Sequence, residues 1–325
     1  MMINFPGIAR VCALAFLLFA GSAGAAPLPN KVLVINSGEA SLSVIDFASR
    51  TEHTRIPVLR EPHHWALSPD GHDLLIGDTG ANEMLFLDPV NFALKRRVPM
   101  ADPYQLGFSP NGKLLVVTGL LRGQLDVYDA ATYTLIKRFP LKSLPSHIDF
   151  SADSGIVYVS LQGSNRVAAI DLKSMAVLWN QPVGPAPAGV MLWRGRLFVA
   201  IMGSDYVAML DPATGVETGR VRAGRGAHQM FLSPDRGTLY VNSRIDSTIS
   251  AYDSKSLDLL RTYKVPGGPD DLIFPGDGHI WATLRFAGKV GVLDPKTGAV
   301  ETLAVGRSPH GIYIQGAVNS GSGVH

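Results

Sequence analysis

The sequence predicts an all-β protein built from seven repeats of about 40 residues. Seven aspartates each close a short apolar or β-branched segment such as SLSVID or TISAYD, and they lie 40–42 residues apart. They are Asp46, Asp88, Asp129, Asp171, Asp211, Asp253 and Asp294. Turns rich in glycine and proline recur between these segments. Short strands and turns at this period are typical of four-stranded propeller blades, so we expect a seven-bladed β-propeller.

Each repeat has the same internal order. An innermost strand leads into a turn of the SPDG type, at residues 68–71, 109–112 and 233–237 among others. An apolar second strand and a polar loop follow, and the third strand ends at the marker aspartate. A turn such as DPATG or DPKTG then leads to the most polar segment, as expected for the outer edge of a blade. We therefore interpret the marker aspartates as turn formers.

The two ends of the repeat region predict how the ring closes. Residues 31–35 match the second strand of a blade, and no innermost strand precedes them. The missing strand appears at residues 309–314, so the C-terminal strand should complete the first blade and close the ring. We assign residues 27–315 to the propeller and expect residues 316–325 to form a disordered tail.

The N-terminal segment, residues 1–26, has the pattern of a secretory signal peptide. A weakly basic start precedes an apolar run at residues 11–20, and small residues near Ala25 and Ala26 offer a cleavage site. The apolar run is too short to span a membrane, and we expect export to the periplasm. Cleavage would remove the single cysteine, Cys12, and one basic residue, Arg10, leaving 28 basic and 27 acidic residues. This near-neutral balance disfavours nucleic acid as a partner.

The repeat motifs resemble those of the YVTN-type propeller family, which includes the YncE-like periplasmic propellers. The resemblance rests on the SPDG turns, on LYVN at residues 239–242 and on VYVS at residues 157–160. It implies the fold and export, and some relatives bind DNA, haem or metals. Residues 276–298 also resemble repeats of virginiamycin B lyase-type propellers and lactonases. That family tends to carry a glutamate in the loop after this strand, where this chain has Arg285, which puts lyase chemistry in doubt.

Chemistry-bearing residues concentrate where the innermost strands begin, at one entrance to the central channel. Taken over all seven repeats, two adjacent positions at the start of the innermost strand hold five of the nine histidines. The candidate ligand-binding residues, including two arginines from nearby loops, are His63, His64, His147, His228, His310, Asp270, Arg244 and Arg285. The same entrance should also receive Glu39, Asp78, Tyr104, Gln105, Arg122, Asp205, Arg225 and Arg307.

Three interpretations of this cluster remain open. Histidine and arginine together could bind a small anionic molecule or an acidic group of a protein partner, because arginine offers a planar fork of donors. His63, His228, His310 and Asp270 could instead hold a transition metal. The third interpretation is that these polar side chains only satisfy backbone groups where the strands crowd the channel.

The first interpretation predicts an exported ligand-binding or partner-binding propeller. The alternative is a metal-dependent, lyase- or lactonase-like enzyme, or a haem-handling propeller in which Arg244 and Arg285 pair with haem propionates. His228 or His310 would then be the first acid–base candidates. No cofactor is certain from the sequence, and no catalytic residue can be assigned.

Overall fold

The structure is a computed structural model that describes residues 1–2 and 30–317. These residues form 28 β-strands and one short 3-10 helix, Gln162–Ser164. The predicted signal peptide lies outside the described residues except for its first two. No helix within the described ranges is long and apolar enough to cross a membrane.

The first four blades contain strands β1 to β15 and β28. Their bounds are β1 Lys31–Asn36, β2 Ser41–Asp46, β3 Thr51–Pro57, β4 Pro62–Leu67, β5 Leu74–Asp78, β6 Glu83–Leu87, β7 Leu94–Pro99, β8 Leu106–Phe108, β9 Leu114–Gly119, β10 Gln124–Asp129, β11 Leu135–Pro140, β12 Pro145–Phe150, β13 Ile156–Leu161, β14 Arg166–Asp171, β15 Ala176–Pro182 and β28 Pro309–Ile314.

The last three blades contain strands β16 to β27. Their bounds are β16 Pro187–Trp193, β17 Arg196–Ile201, β18 Tyr206–Leu210, β19 Glu217–Arg222, β20 Ala227–Leu232, β21 Thr238–Ser243, β22 Thr248–Asp253, β23 Leu259–Lys264, β24 Pro269–Ile273, β25 Ile280–Leu284, β26 Lys289–Leu293 and β27 Val300–Ala304.

These strands form seven antiparallel sheets of four strands each, which confirms the predicted seven-bladed propeller. Six blades use four consecutive strands. The first blade has the order β28-β1-β2-β3, so the C-terminal strand closes the ring as the sequence predicts. Val32 pairs with Ile314 and Val34 with Ile312 across this junction. Trp65 of the second blade donates a hydrogen bond from Nε1 to the Ile312 carbonyl at 3.0 Å, which ties the closing strand to its neighbour.

The hydrophobic core is divided among the seven interfaces between neighbouring blades. Each buried cluster combines side chains from two adjacent blades. At the closing interface, Phe47 of the first blade stacks on Trp281 of the seventh, with ring centroids 5.2 Å apart. Trp281 is fully buried. Because each blade is apolar on both faces, it is stable only between two neighbours, and closure supplies the last pair of contacts.

The marker aspartates form turns, which agrees with their interpretation from sequence. Asp88 Oδ1, for example, accepts hydrogen bonds from the backbone N–H groups of Val90 and Asn91, both at 2.9 Å. Asp211 does the same for Ala213 and Thr214. These carboxylates lie at the exposed side of the blades and are therefore not part of a site in the channel.

The structure describes the first two residues of the predicted tail, Gly316 and Ala317. Gly316 forms a turn, and Ala317 N–H donates to the Ile314 carbonyl at 3.1 Å. Ala317 also packs against the cluster between the first and seventh blades. Residues 318–325 lie outside the described part of the chain.

Truncation after Ser308 should abolish cooperative folding of the ring. This change removes β28, all six residues of which are buried, and it exposes the edge of β1. Truncation after Ala317 is the control and should keep the wild-type unfolding transition. Circular dichroism during heating measures both. A cooperative transition near the wild-type temperature for the shorter protein would contradict the role of β28 as the closing strand.

Candidate functional site

The structure brings the five candidate histidines together where the innermost strands β4, β12, β20 and β28 begin. His64 lies at the centre of the group, with ring centroids 4.4 Å from His310 and 5.4 Å from His147. His147 and His228 are 5.0 Å apart, and His63 and His310 are 5.1 Å apart. All five side chains are buried. Tyr104 belongs to the same cluster, with its ring centroid 4.7 Å from that of His63.

Irregular strand pairing explains why two adjacent positions reach the same cluster. In a regular strand, neighbours such as His63 and His64 would point to opposite faces. The register between β4 and β5 shifts between Pro62 and Trp65, which is where the two histidines lie. The innermost strands of the first, fourth, fifth, sixth and seventh blades have comparable shifts. Such bulges redirect side chains, and here they place both histidines beside His310.

Asp270 is the fully buried carboxylate to which the cluster is anchored. Its Oδ1 atom lies 3.0 Å from His228 Nδ1, and its Oδ2 atom lies 3.1 Å from His310 Nδ1. Arg244 donates from Nε to Oδ1 at 2.5 Å and also contacts this oxygen through Nη2. Arg285 Nη1 lies 3.3 Å from Oδ2. One carboxylate therefore positions two imidazoles and two guanidinium groups.

The two arginines are the part of this cluster that reaches solvent. The Arg285 side chain is 25 % exposed and the Arg244 side chain 13 %, whereas Asp270 is completely buried. Arg244 is held further by contact of Nη1 with Met202 Sδ at 3.5 Å. Two carboxylates, Asp270 and the half-exposed Glu61, balance these two guanidinium charges, and the pKa of Glu61 is lowered by its hydrogen bond to His63 and by the charge of Arg285. This arrangement presents fixed donors to an incoming anion.

Burial and neighbouring charges keep Asp270 ionised and four buried imidazoles neutral. Burial alone would raise the pKa of Asp270, but Arg244, His310 and His228 hold its pKa well below the usual range. Burial lowers the pKa of His228 to about 4 and that of His310 to about 3. Burial also holds the pKa values of His64 and His147 well below the usual range, so these four imidazoles are neutral at pH 7.

Asp270 also influences the tautomer of His228. An ionised carboxylate only accepts hydrogen bonds, so its closeness to Nδ1 favours the tautomer of His228 with the proton on that atom. His310 Nδ1 lies 3.1 Å from Asp270 Oδ2 but makes no hydrogen bond within the described residues. His310 Nε2 is buried and has no hydrogen-bond partner within the described residues, and the same holds for Nε2 of His64 and His147. Buried polar atoms of this kind favour a partner that can hydrogen bond to them.

The donor set fits a resident metal or haem poorly. No group of three or more His, Cys, Asp or Glu side chains in residues 30–317 is placed to hold a metal ion. Of the proposed metal ligands, His228 and His310 direct Nδ1 to Asp270, and His63 Nε2 lies 3.1 Å from Glu61 Oε1. The centroids of neighbouring histidine rings in the cluster are only 4.4–5.4 Å apart, which leaves no room for a haem macrocycle between the rings.

The other predicted entrance residues have separate structural roles. Asp78 accepts backbone hydrogen bonds from Arg60 and Glu61 at 2.9 and 2.8 Å. Arg225 pairs with Asp246 at 2.7 Å on the rim. Further entrance contacts join Arg122 to Asn82 and the Arg307 backbone N–H to Glu39. Asp205 lies beside Ser204. These residues shape the loops and do not join the cluster around Asp270.

Sequence reasoning missed a set of polar side chains on the second strands. Thr283 accepts from the Asp271 backbone N–H at 2.9 Å and donates to the His310 carbonyl of the next blade at 2.8 Å. Asn242 likewise accepts from Gln229 N–H and donates to the Asp270 carbonyl. Equivalent positions carry Thr118 and Ser160, which bond to the backbone near Gln105 and His147. Their recurrence at one strand position was the available sequence signal.

Two further polar contacts lie at the edge of the cluster. Glu61, which is half-exposed, contacts His63. Glu61 lies two residues before His63 in the chain, and this short separation was the sequence signal that could have predicted the contact. Gln162 in the short 3-10 helix donates from Nε2 to Ser146 Oγ at 2.6 Å. Ser146 Oγ in turn lies 2.7 Å from His147 Nδ1. Nothing in the sequence around Gln162 indicated this second contact.

Comparison with known proteins identifies the family. A family model described as YNCE-like beta-propeller matches residues 6–318. The chain belongs to the YncE-like β-propeller family. YncE of Salmonella typhimurium is 31% identical to this YncE-like propeller over 97 residues, which are 30% of this chain and 28% of YncE. The aligned part thus spans little more than a quarter of that curated relative.

Solved structures share the fold with this YncE-like propeller at low sequence identity. The dihydro-heme d1 dehydrogenase NirN, in complex with DHE, is 16% identical with a TM-score of 0.66, covering 87% of this chain and 75% of that one. The periplasmic gluconolactonase PpgL of Pseudomonas aeruginosa is 17% identical with a TM-score of 0.69, covering 87% and 98%. Identities this low establish similarity of the fold alone.

The stabilising effect of His228 should disappear in acid. Because its pKa is about 4 in the folded protein and about 6.5 when unfolded, the unfolded chain binds more protons between these values. Lowering the pH from 7 to 4 should therefore shrink the stability difference between wild type and His228→Asn by on the order of 3 kcal/mol. Urea unfolding at both pH values measures this difference.

The stability of the wild type alone would not isolate the effect of His228, because protonation of Asp271 changes the stability in the opposite direction as the pH falls. Burial raises the pKa of Asp271 to about 8, so its protonation favours the folded state as the pH falls. Asp271 is present in both proteins and its contribution cancels in the comparison. The exposed His53→Asn variant is the control and should show no such change. A stability difference for His228→Asn that is independent of pH would contradict the neutral, buried state of this imidazole.

Proposed function

We propose that this protein binds a small hydroxylated carboxylate at the entrance of its channel. The observation that carries the proposal is the pair of arginines that Asp270 holds in place at that entrance. The proposal retains the interpretation of an anionic ligand that the sequence favoured, and adds the hydroxyl groups from the chemistry of the buried imidazoles. Export to the periplasm, as the predicted signal peptide implies, is part of the same proposal.

Arg285 supplies the principal anion contact. Its contact with Asp270 occupies Nη1, one nitrogen of a guanidinium that carries five N–H donors in total. The remaining donors suit the planar geometry of a carboxylate. Because Asp270 and Met202 fix Arg244 beside it, little side-chain freedom is lost when a ligand binds.

The imidazoles supply the preference for hydroxyl groups. Both ring nitrogens of the buried His310 lack a hydrogen-bond partner within the described residues, so the neutral ring leaves an acceptor nitrogen that a ligand O–H could satisfy. His63 and Tyr104, which are buried beside His310, offer further polar groups. A ligand with a carboxylate and neighbouring hydroxyl groups matches this combination of donors and acceptors.

Catalysis is the second candidate, and one observation favours it. A carboxylate that lies 3.0–3.1 Å from Nδ1 of two imidazoles resembles the Asp–His pair of a general base. The similarity in fold to a gluconolactonase would make a lactone the first substrate to try. However, pKa values of about 4 and 3 make His228 and His310 weak bases at neutral pH, so we favour binding.

Gluconate should raise the unfolding temperature more than hexanoate or glucose does. Hexanoate retains the charge without the hydroxyl groups, and glucose retains hydroxyl groups without the charge. Arg285→Gln should abolish most of the shift, because loss of a charge-assisted bidentate contact weakens binding roughly tenfold or more. Differential scanning fluorimetry across a concentration series measures the effect.

Arg307→Gln is the matched control, because this exposed arginine lies on an entrance loop without contacting Asp270. Its shift with gluconate should equal that of wild type. Equal shifts with Arg285→Gln and wild type would contradict the assigned contact. No shift with any of the three compounds would contradict a hydroxylated carboxylate as the ligand class. Gluconolactone hydrolysis lost in His310→Gln would establish the catalytic alternative.

A further inference from the structure

A second candidate site lies on the outer rim of the ring, between the fifth and sixth blades. It is a groove of about 750 Å³ bounded by β19 on one side and by β22 and β23 on the other. β19 is the outermost strand of its sheet. The groove shares no residue with the cluster around Asp270. Its volume is in the range of ligand-binding pockets.

Basic side chains dominate the charge of the groove. Four of its lining residues are basic and one, Asp246, is acidic. Asp246 is already paired with Arg225 at 2.7 Å. Of the basic residues, Arg222 and Lys264 are exposed and have no ion pair within the described residues. The groove therefore carries positive charge that the protein itself does not neutralise, and an acidic ligand is complementary to it.

The wall formed by the sixth blade adds hydroxyl groups. Thr248, Ser250 and Thr262 line this side of the groove. Thr248 is 4% exposed, and its Oγ1 atom is buried without a hydrogen-bond partner in the described part of the chain. An unpaired buried hydroxyl is costly, and it can donate to an oxygen of a bound ligand. This second observation also points to an acceptor-rich ligand.

The shape of the groove favours an extended peptide. Its lining follows five consecutive residues, 220–224, so it runs along the main chain of the outermost strand, where the Arg222 carbonyl accepts from Tyr252 Oη and the Gly224 N–H donates to Ser243 Oγ. The remaining backbone N–H and C=O groups of an edge strand are groups to which another strand can add. Leu259, which is 58% exposed, supplies an apolar contact on the opposite wall of the groove, at the start of β23.

We propose that the groove between the fifth and sixth blades binds an extended acidic segment of a partner protein. The backbone edge of β19 would pair with the segment, while Arg222 and Lys264 contact its carboxylates. This site is independent of the proposed function at the channel entrance.

The test uses a fluorescent peptide of about six residues, the length of β19, with alternating Glu and Val. Fluorescence anisotropy should show saturable binding to the wild-type protein. Arg222→Gln/Lys264→Gln should weaken binding about tenfold, and Leu259→Asp should weaken it similarly through charge repulsion. Lys137→Gln/Lys173→Gln and Leu135→Asp are matched controls on other blades and should bind as wild type does. Leu135 begins β11 in the same way that Leu259 begins β23.

Three outcomes would overturn the proposal. The first is no saturable binding of the Glu–Val peptide by wild type. The second is equal binding by the groove variants and their controls. The third is equally tight binding of single-stranded oligothymidine that displaces the peptide, because this would identify the groove as a nucleic-acid surface. Arg285→Gln should leave peptide binding unchanged, which separates this test from that of the channel entrance.

Discussion

The ionised carboxylate of Asp270 is the constraint on which the rest of the entrance depends. A buried charge is stable only when it is paired and hydrogen bonded, and here two arginines and two imidazoles surround it. The same contacts hold the two partly exposed arginines in place and bring Nδ1 of His228 and of His310 to 3.0 and 3.1 Å from the carboxylate. The ligand recognition that we propose at this entrance would thus depend on the way that one internal charge is compensated.

The propeller supplies the means of assembling such a cluster. Side chains from different blades meet because each innermost strand begins at the same end of the channel. Bulges at those positions turn adjacent residues such as His63 and His64 toward one another. Hydrogen bonds from Asn242 and Thr283 then join the backbone of one blade to the next. The repeat therefore positions the site through backbone geometry, whereas the individual side chains set its chemistry.

The sequence allowed prediction of the fold because repeat spacing reports directly on architecture. The 40–42-residue interval was sufficient to predict seven blades, and the displaced innermost strand at residues 309–314 was sufficient to predict how the ring closes. Once the fold was known, the repeat positions placed the eight candidate residues at one entrance, but whether their side chains converge could not be predicted, because alternation could turn either of two adjacent positions toward the axis. The central role of Asp270 could not be predicted, since it depends on distances between blades. Nor could the bulges, because regular alternation would have separated His63 from His64.

Urea unfolding of Asp270→Asn and Asp271→Asn at pH 7 tests the central claim most directly. The two residues are adjacent, and both substitutions replace a carboxyl group by an amide of the same shape. Asp270→Asn should destabilise the protein by roughly 3–5 kcal/mol, because it leaves Arg244 and Arg285 without their counter-charge. Asp271 is largely protonated at this pH, so its substitution should cost much less. Equal losses of stability, or no loss for Asp270→Asn, would contradict the account.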